Sequence, residues 1–369
     1  MKKFCRTLAR ACLMLIASNN LVVADPSPAG SAAPNQSPRS LAGALKSETN
    51  WRAYVARFVT ADGRVVDTAN GAVSHSEGQG YGMLLAVAAS DRSAFERIWG
   101  WTRANLMTRD DALLAWRWEP NQRPAVADMN NATDGDLLVA WALTEAAEAW
   151  SDASYRTAAR RLAVEIGRKL VVHTAEGEQL LLPALAGFSA EDVADGPVIN
   201  LSYYVFPAFS RLAIVAPEFD WAGLSRSGLR LIERAQFGPY KLPSEWISAK
   251  QEKLTPAAGF VPAFSYNSIR MPLYMAWAGV GRAADYAPFL ELWAKRSSAG
   301  LPLIDLASNR IAGTTAEHGY EALPAFTSCA ITHTPLPRAF WDVSFKENYY
   351  PVTLQLLSQA AVHMREPSC

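Results

Sequence analysis

The sequence predicts an all-α fold, a closed or stacked array of about twelve helices. Three observations lead there. Apolar residues recur with helical spacing along most of the chain. Period-2 alternation is scarce. No self-similarity at a fixed period marks a repeat solenoid.

The elements follow in order. Trp51, Tyr54, Val55 and Phe58 share one helical face. A helix is expected from near Gly78 and another from near Ser93. Leu137, Leu138, Trp141, Ala142 and Ala149 form a stripe behind the start signal Asn131-Ala132-Thr133-Asp134. Tyr155, Ala159, Leu162, Ile166 and Leu170 mark the next helix. Further helical stretches begin near Ser202, Trp221, Asn267, Ala283, Glu317, Phe340 and Glu347. Arg64–Asp67 and Gln179–Leu182 are the two candidate short strands.

The chain has 369 residues, 35 basic and 35 acidic side chains, and 50% hydrophobic residues. That composition excludes disorder, a polytopic membrane protein and the charge excess of a nucleic-acid binder. Residues 1–24 read as a secretory signal peptide: Lys2, Lys3, Arg6 and Arg10 precede an apolar run over 11–18, and Val22 and Ala24 suit a cleavage site. The alternative is an N-terminal anchor left in place. Cleavage removes four basic residues, leaving 31 basic against 35 acidic and a net charge of −4. That argues against phosphates and anionic membranes as partners, and against stable membrane insertion once the leader is gone. Residues 25–40, rich in Pro, Ser and Ala, read as a disordered linker. Residues 41–369 then form one domain. Cys329 and Cys369 remain after cleavage, and export would place them in an oxidising compartment. Pairing depends on a Cα separation that sequence leaves open.

Two segments look less like packing than the rest. In His75-Ser76-Glu77-Gly78-Gln79-Gly80-Tyr81-Gly82-Met83, three glycines crowd the start of an apolar helix. Glycine is a poor helix former. Close approach of a bulky ligand is one reason for it; a capped helix start, with Ser76 at the cap and Gln79 at the third position, is the plainer one. Glu77 would sit on the lip of that helix, where apolar neighbours could make it a general acid. In Asp128-Met129-Asn130-Asn131-Ala132-Thr133-Asp134-Gly135-Asp136, five of nine residues are Asp or Asn. A calcium loop looks like this, but the distal Glu and central Gly of an EF-hand are missing; the alternative is a polar cap and turn.

The chain holds twelve tryptophans. Several flank polar turns: Trp99, Trp101, Trp116, Trp118, Trp246 and Trp341. Their flat apolar faces and polar edges suit sugar rings. With a near-neutral charge, they favour an uncharged polysaccharide over a charged polymer. The five histidines are dispersed, and no Cys-x-x-Cys, His-Glu-x-x-His, nucleophile elbow, Walker loop or dinucleotide fingerprint occurs. Neither a metal nor a cofactor is expected.

Taken together, Ser76-Glu77-Gly78-Gln79-Gly80-Tyr81-Gly82-Met83 resembles the signature of glycoside hydrolase family 8. Asn131-Ala132-Thr133-Asp134-Gly135-Asp136, Trp116-Arg117-Trp118, Leu181-Leu182-Pro183 and Asn200-Leu201-Ser202-Tyr203 resemble later family segments in the same order. Ser265-Tyr266-Asn267-Ser268-Ile269-Arg270 resembles its Ser-Tyr-Asp-Ala-x-Arg segment. The likeness is to the endo-1,4-β-glucanases associated with bacterial cellulose synthesis. It implies an (α/α)6 barrel, a periplasmic or secreted location, a β-1,4-glucan substrate and a functional link to a cellulose synthase complex. It further implies inverting hydrolysis, with Glu77 as general acid and Asp134 at the cleavage point. Tyr81, Trp116, Trp118, Tyr203, Tyr266 and Arg270 would line the groove. Family-8 xylanases, lichenases and chitosanases are alternatives.

Two positions depart from the family pattern: Leu201 replaces the usual proline of its segment, and the second bears on the chemistry. The expected base falls on Asn267, whose amide cannot accept water's proton as a carboxylate does. Three readings follow. Another acid serves, with Asp134, Glu191, Asp192 and Asp195 as candidates. Or Asn267 only positions water and turnover is slow. Or the chain binds glycan without cutting it.

Overall fold

The computed structural model describes residues 40–365 and residue 369. The expected signal peptide over 1–24 lies outside them, as does the expected linker except for Ser40. Eleven α-helices lie among the described residues: α1 Glu48–Phe58, α2 Ser76–Ala88, α3 Arg92–Asn105, α4 Thr133–Ala149, α5 Ala153–Lys169, α6 Phe206–Val215, α7 Trp221–Arg234, α8 Met271–Ala278, α9 Ala283–Trp293, α10 Ala322–Thr332 and α11 Tyr349–Arg365. None is long and apolar enough to cross a membrane.

Burial sorts these helices into two layers. A helix that is apolar all round must be enclosed, whereas one with a single apolar stripe can face water. In α2 every residue but Glu77 is buried, and in α4 every residue from Thr133 to Ala147 is buried. By contrast α5 buries Tyr155, Ala159, Leu162, Ala163 and Ile166 on one side, and α1 buries Trp51, Tyr54 and Phe58. The enclosed helices form a ring. α2 packs on α4, α4 on α6, α6 on α8, α8 on α10 and α10 on α11, which closes back onto α2. The striped helices lie outside: α3 against α2, α5 against α4, α7 against α6 and α9 against α10. α1 meets α11 through Tyr54 and Thr353, whose hydroxyls are 3.2 Å apart. This is an (α/α)6 barrel.

The sixth outer helix, expected near Phe340, is only the 3-10 turn Arg338–Phe340. Pro335 and Pro337 hold the preceding chain extended. Gln355 and Gln359 of α11 then satisfy the loop directly, donating to the Phe340 carbonyl at 3.1 and 2.9 Å. The expected starts at Ser202, Asn267 and Glu317 likewise begin as 3-10 turns, Leu201–Tyr203, Ser268–Arg270 and His318–Glu321, before α6, α8 and α10.

Among the described residues, ten short strands decorate the barrel. Gln179–Leu181 pairs with Val171–His173 as a strand, but Arg64–Asp67 yields only an isolated bridge from Val65 to Val59. Two three-stranded sheets were not expected. One joins Val198–Asn200, Trp246–Ser248 and Thr255–Pro256; the other joins Ala263–Phe264, Pro302–Asp305 and Arg310–Thr314. Cys329 and Cys369 are bonded, with Cα atoms 5.5 Å apart.

Two glycines of the first motif make room for neighbouring side chains of the fold. A Cβ on Gly80 would stand 2.5 Å from Leu138 Cβ, and one on Gly82 would stand 2.7 Å from Val65 Cγ2. The cap is also one residue earlier than expected. His75, not Ser76, caps α2, its Nδ1 accepting the Gly78 N–H at 3.0 Å. Gln79 is buried and bonded to Val65 N, to the Gly63 and Ile98 carbonyls and to Thr102 Oγ1.

Candidate active site

Inner helices alternate with outer ones, so their N-terminal ends meet at one mouth of the barrel. Glu77 lies in the first turn of α2, Asp134 in that of α4 and Tyr350 in that of α11. Arg270 is the residue before α8, and Tyr203 and Tyr320 sit in the 3-10 turns before α6 and α10. A helix N-terminus presents unpaired N–H groups and a partial positive charge, which suits Glu77 and Asp134.

Arg270 ties this mouth together. Its Nη1 donates to Glu77 Oε2 at 2.7 Å and to the Tyr350 hydroxyl at 3.3 Å, and its Nη2 donates to Asp134 Oδ2 at 2.6 Å. The guanidinium also lies 5.8 Å from the Tyr203 ring centroid. Arg270 is 1% exposed, whereas the Glu77 side chain keeps 17% exposure and so faces the opening. Burial opposes the Arg270 charge, but Glu77 and the surrounding tyrosines hold its pKa well above the ordinary value. Burial pushes the Asp134 carboxyl up to about 7; Arg270 opposes this and Glu77, close enough to hydrogen-bond, adds to it. Of the two carboxyls, Asp134 is the buried member and Glu77 the one that reaches the opening.

Asn267 faces Glu245. The Asn267 backbone N–H donates to Glu245 Oε1 at 3.0 Å and its Nδ2 donates to Oε2 at 3.3 Å. Sequence reading missed Glu245 altogether. Its only local signal is an acid beside Trp246 in a polar turn. The other proposed acids are engaged elsewhere. Asp192 accepts the N–H groups of Gly187, Phe188 and Ser189, and Asp195 accepts that of Ala258. Those backbone bonds, led by Ser189, hold the Asp192 carboxyl below its ordinary pKa. Glu191 lines a separate cleft with His173, Glu178, Arg230 and Lys250.

The aromatic candidates divide. Tyr266 is 44% exposed and its ring lies 5.8 Å from that of Tyr320. Tyr203 is half-buried and meets Trp246 edge-on at 6.1 Å. Trp246 begins a stacked row unmarked as such in the sequence, with Phe188 at 5.4 Å and Phe260 at 4.4 Å. Trp116 is half-buried and donates through Nε1 to Asp128 at 2.8 Å. Trp118 meets Trp101 edge-on at 5.5 Å under the Arg64 guanidinium. Tyr81 is fully buried, its hydroxyl bonded to that of Tyr274. It supports the floor from beneath and presents no face to a ligand.

The Asp/Asn-rich segment is a brace around Asp134. Asp136 accepts the Leu114 N–H at 2.9 Å and Asn131 Nδ2 at 2.7 Å, while Asn131 Oδ1 accepts the Leu185 N–H at 2.7 Å. Thr133 Oγ1 donates to the Leu182 carbonyl at 2.6 Å. Asn130 donates to the Ala186 carbonyl at 2.9 Å. Among the described residues no three His, Cys, Asp or Glu side chains gather as a metal-holding group. The arrangement offers one carboxyl at the opening beside a buried one, a further carboxylate beside an amide, and aromatic faces around them. That is acid–base chemistry on a ring-shaped, uncharged ligand.

Known proteins resemble this chain along most of its length. A family model described as glycosyl hydrolases family 8 matches residues 37–363. An endoglucanase of Cellulomonas uda is 41% identical over 232 residues, covering 63% of this chain and 64% of that protein's own length. A probable endoglucanase of Novacetimonas hansenii is 36% identical over 280 residues, covering 75% and 81%. Among solved structures, a family 8 endoglucanase from Klebsiella pneumoniae superposes with TM-score 0.77 at 35% identity, covering 86% of this chain and 99% of that one. An endo-beta-1,4-glucanase from Acetobacter xylinum gives TM-score 0.77 at 32% identity, covering 89% and 99%.

Proposed function

Because the chain belongs to glycosyl hydrolase family 8, we propose that it is an endo-β-1,4-glucanase, periplasmic or secreted, cutting internal bonds of cellulose with inversion. The observation that carries this reading is the Glu77–Arg270–Asp134 cluster at the open mouth of the barrel. Glu77 gives a proton to the departing glycosidic oxygen. Arg270 fixes the orientation of both carboxyls. Asp134, whose carboxyl burial pushes up to about 7, meets the sugar at the cleavage point. Water attacks the anomeric carbon from the opposite face, as inversion requires. Tyr203, Tyr266 and the row Trp246, Phe188 and Phe260 offer faces for neighbouring glucose rings. A β-1,4-glucan made by a cellulose synthase complex is the proposed partner. The Cys329–Cys369 bond supports export to an oxidising compartment.

One observation favours a second reading. Asn267 places an amide where the family pattern has a carboxylate, which fits a protein that holds glycan without cutting it. Hydrolysis of soluble cello-oligosaccharides by this chain, Glu77→Gln and Asn267→Asp separates the two, with product anomers read by NMR. The glucanase reading expects α-anomeric products from the chain as it stands and none from Glu77→Gln. An inert chain revived by Asn267→Asp establishes the binding reading instead. Activity that survives Glu77→Gln refutes the assignment of the acid.

A further inference from the structure

Resting on the glucanase reading, we propose that Glu245 is the carboxylate that activates water, with Asn267 as the positioning residue that holds it. The two side chains lock together by two hydrogen bonds, one to each oxygen of Glu245. A carboxylate oxygen carries two lone pairs. Each oxygen of Glu245 therefore keeps one for a further donor. Asn267 turns Nδ2 toward Glu245, which leaves Oδ1 free to accept. A water that donates one hydrogen to Glu245 and the other to Asn267 Oδ1 is oriented by two fixed acceptors. Its lone pair is then free to attack.

The backbone makes this placement firm. The Glu245 N–H donates to the Ala263 carbonyl at 2.8 Å, on the segment that runs into Tyr266 and Asn267. Its neighbour Trp246 pairs with Asn200, on the strand that runs into Tyr203. Glu245, in the bend just before the strand Trp246–Ser248, is thus held between the two segments that carry site residues 203 and 267. The Tyr203 hydroxyl lies in the field of all three acids. Burial first, and then the charges of Asp134, Glu77 and Glu245 against that of Arg270, raise it well above its ordinary pKa. The alternatives are spoken for: Asp134 by Arg270 and Glu77, and Asp192 and Asp195 by loop N–H groups.

The step balances as a single displacement. Water's oxygen forms the bond to the anomeric carbon while one of its protons passes to Glu245. The bond from that carbon to the leaving oxygen breaks, its electron pair staying on oxygen, which takes the proton from Glu77. Glu245 ends protonated and Glu77 ionised, and exchange with solvent restores both.

The test compares cellopentaose with β-cellobiosyl fluoride, whose leaving group departs without a proton. Glu77→Gln should lose cellopentaose cleavage and keep much of its rate on the fluoride. Glu245→Gln should lose about 10²–10⁴-fold on both substrates, because water must be activated in either case. Glu245→Gln combined with Asn267→Asp should recover activity by returning the carboxylate to position 267. If Glu245→Gln does not fold, Glu245→Asp carries the test: it should slow both substrates alike. Wild-type rates in Glu245→Gln, a loss confined to cellopentaose, or no recovery in a folded double variant each overturn the proposal. These outcomes leave the glucanase reading standing if Glu77→Gln is inactive on cellopentaose. An inert wild type, or an active Glu77→Gln, refutes that reading instead.

Discussion

Replacing Gly135 by alanine perturbs the site from behind. Gly135 lies in the first turn of α4, where it touches the first turn of α2. An added Cβ would stand 2.0 Å from Ser76 Oγ, 2.6 Å from Ser76 Cβ and 2.8 Å from the Glu77 nitrogen. Carbon atoms in contact sit about 3.5–4.0 Å apart. The Ser76 hydroxyl can rotate away, but its Cβ and the Glu77 backbone cannot. The two helix starts must therefore separate by roughly 1 Å, a displacement set by the usual contact distance. Overpacking of this kind costs about 1–3 kcal/mol, and the better helix propensity of alanine returns up to about 1 kcal/mol. A net loss of about 1–2 kcal/mol is expected by urea unfolding. The catalytic effect should be larger, because Glu77 moves relative to Asp134 and Arg270. A misplacement of about 1 Å costs on the order of 10²-fold in rate. Initial rates on cello-oligosaccharides should show that loss in kcat, with KM changed little. A Gly135→Ala protein with wild-type kcat would refute the claim that this contact sets the position of Glu77, whatever its stability.

Other perturbations test neighbouring parts of the argument. Gly100 sits inside α3 with nothing within 4 Å of an added Cβ, so Gly100→Ala should raise unfolding stability by about 0.5–1 kcal/mol without changing activity. Arg270→Met removes the buried cation that faces Glu77 and Asp134; it should cost about 3–5 kcal/mol and abolish hydrolysis, and a stable, active variant would contradict the bridging role. The Asp134 and Asp136 carboxyls, each pushed up to about 7 by burial, bind protons more tightly folded than unfolded. Their stabilising contribution is complete below about pH 4 and is lost as pH rises through 7. Thermal midpoints should fall between about pH 4 and pH 7, and Asp134→Asn should flatten that fall; an equally steep fall in the variant would point to other groups.

The helical array is legible in the sequence because helices write a period into it. The stripes of α1 and α5 follow directly from Trp51, Tyr54 and Phe58 and from Tyr155, Ala159, Leu162 and Ile166. The Glu77 and Asp134 motifs are legible because each sits in a helix start with unusual composition. Arg270 is legible only by resemblance to a known family, since one arginine in an apolar stretch has no local signature. Where sequence reasoning failed, the competing influence can be named. Three glycines suggested a ligand, yet Gly80 makes room for Leu138 of α4 and Gly82 for Val65. A helix near Phe340 follows from periodicity, but two prolines and two buried glutamines leave a single turn. The strand Arg310–Thr314 is exposed at its first four residues, so no alternation reveals it.

Composition and periodicity determined that this chain is an array of about twelve helices; that six of them form an inner ring within a second layer is set by the contacts of the fold. Local motif chemistry determined that Glu77 stands at a helix start. Tertiary structure alone decided what faces what. Glu77 and Arg270 are 193 residues apart in sequence, Asp134 and Arg270 are 136 apart, and Asn267 and Glu245 are 22 apart. Such pairs are single contacts between elements brought together by barrel closure and by two small sheets. A contact of that kind leaves no period, spacing or composition behind it, so the partner of Asn267 becomes visible only when the chain is folded.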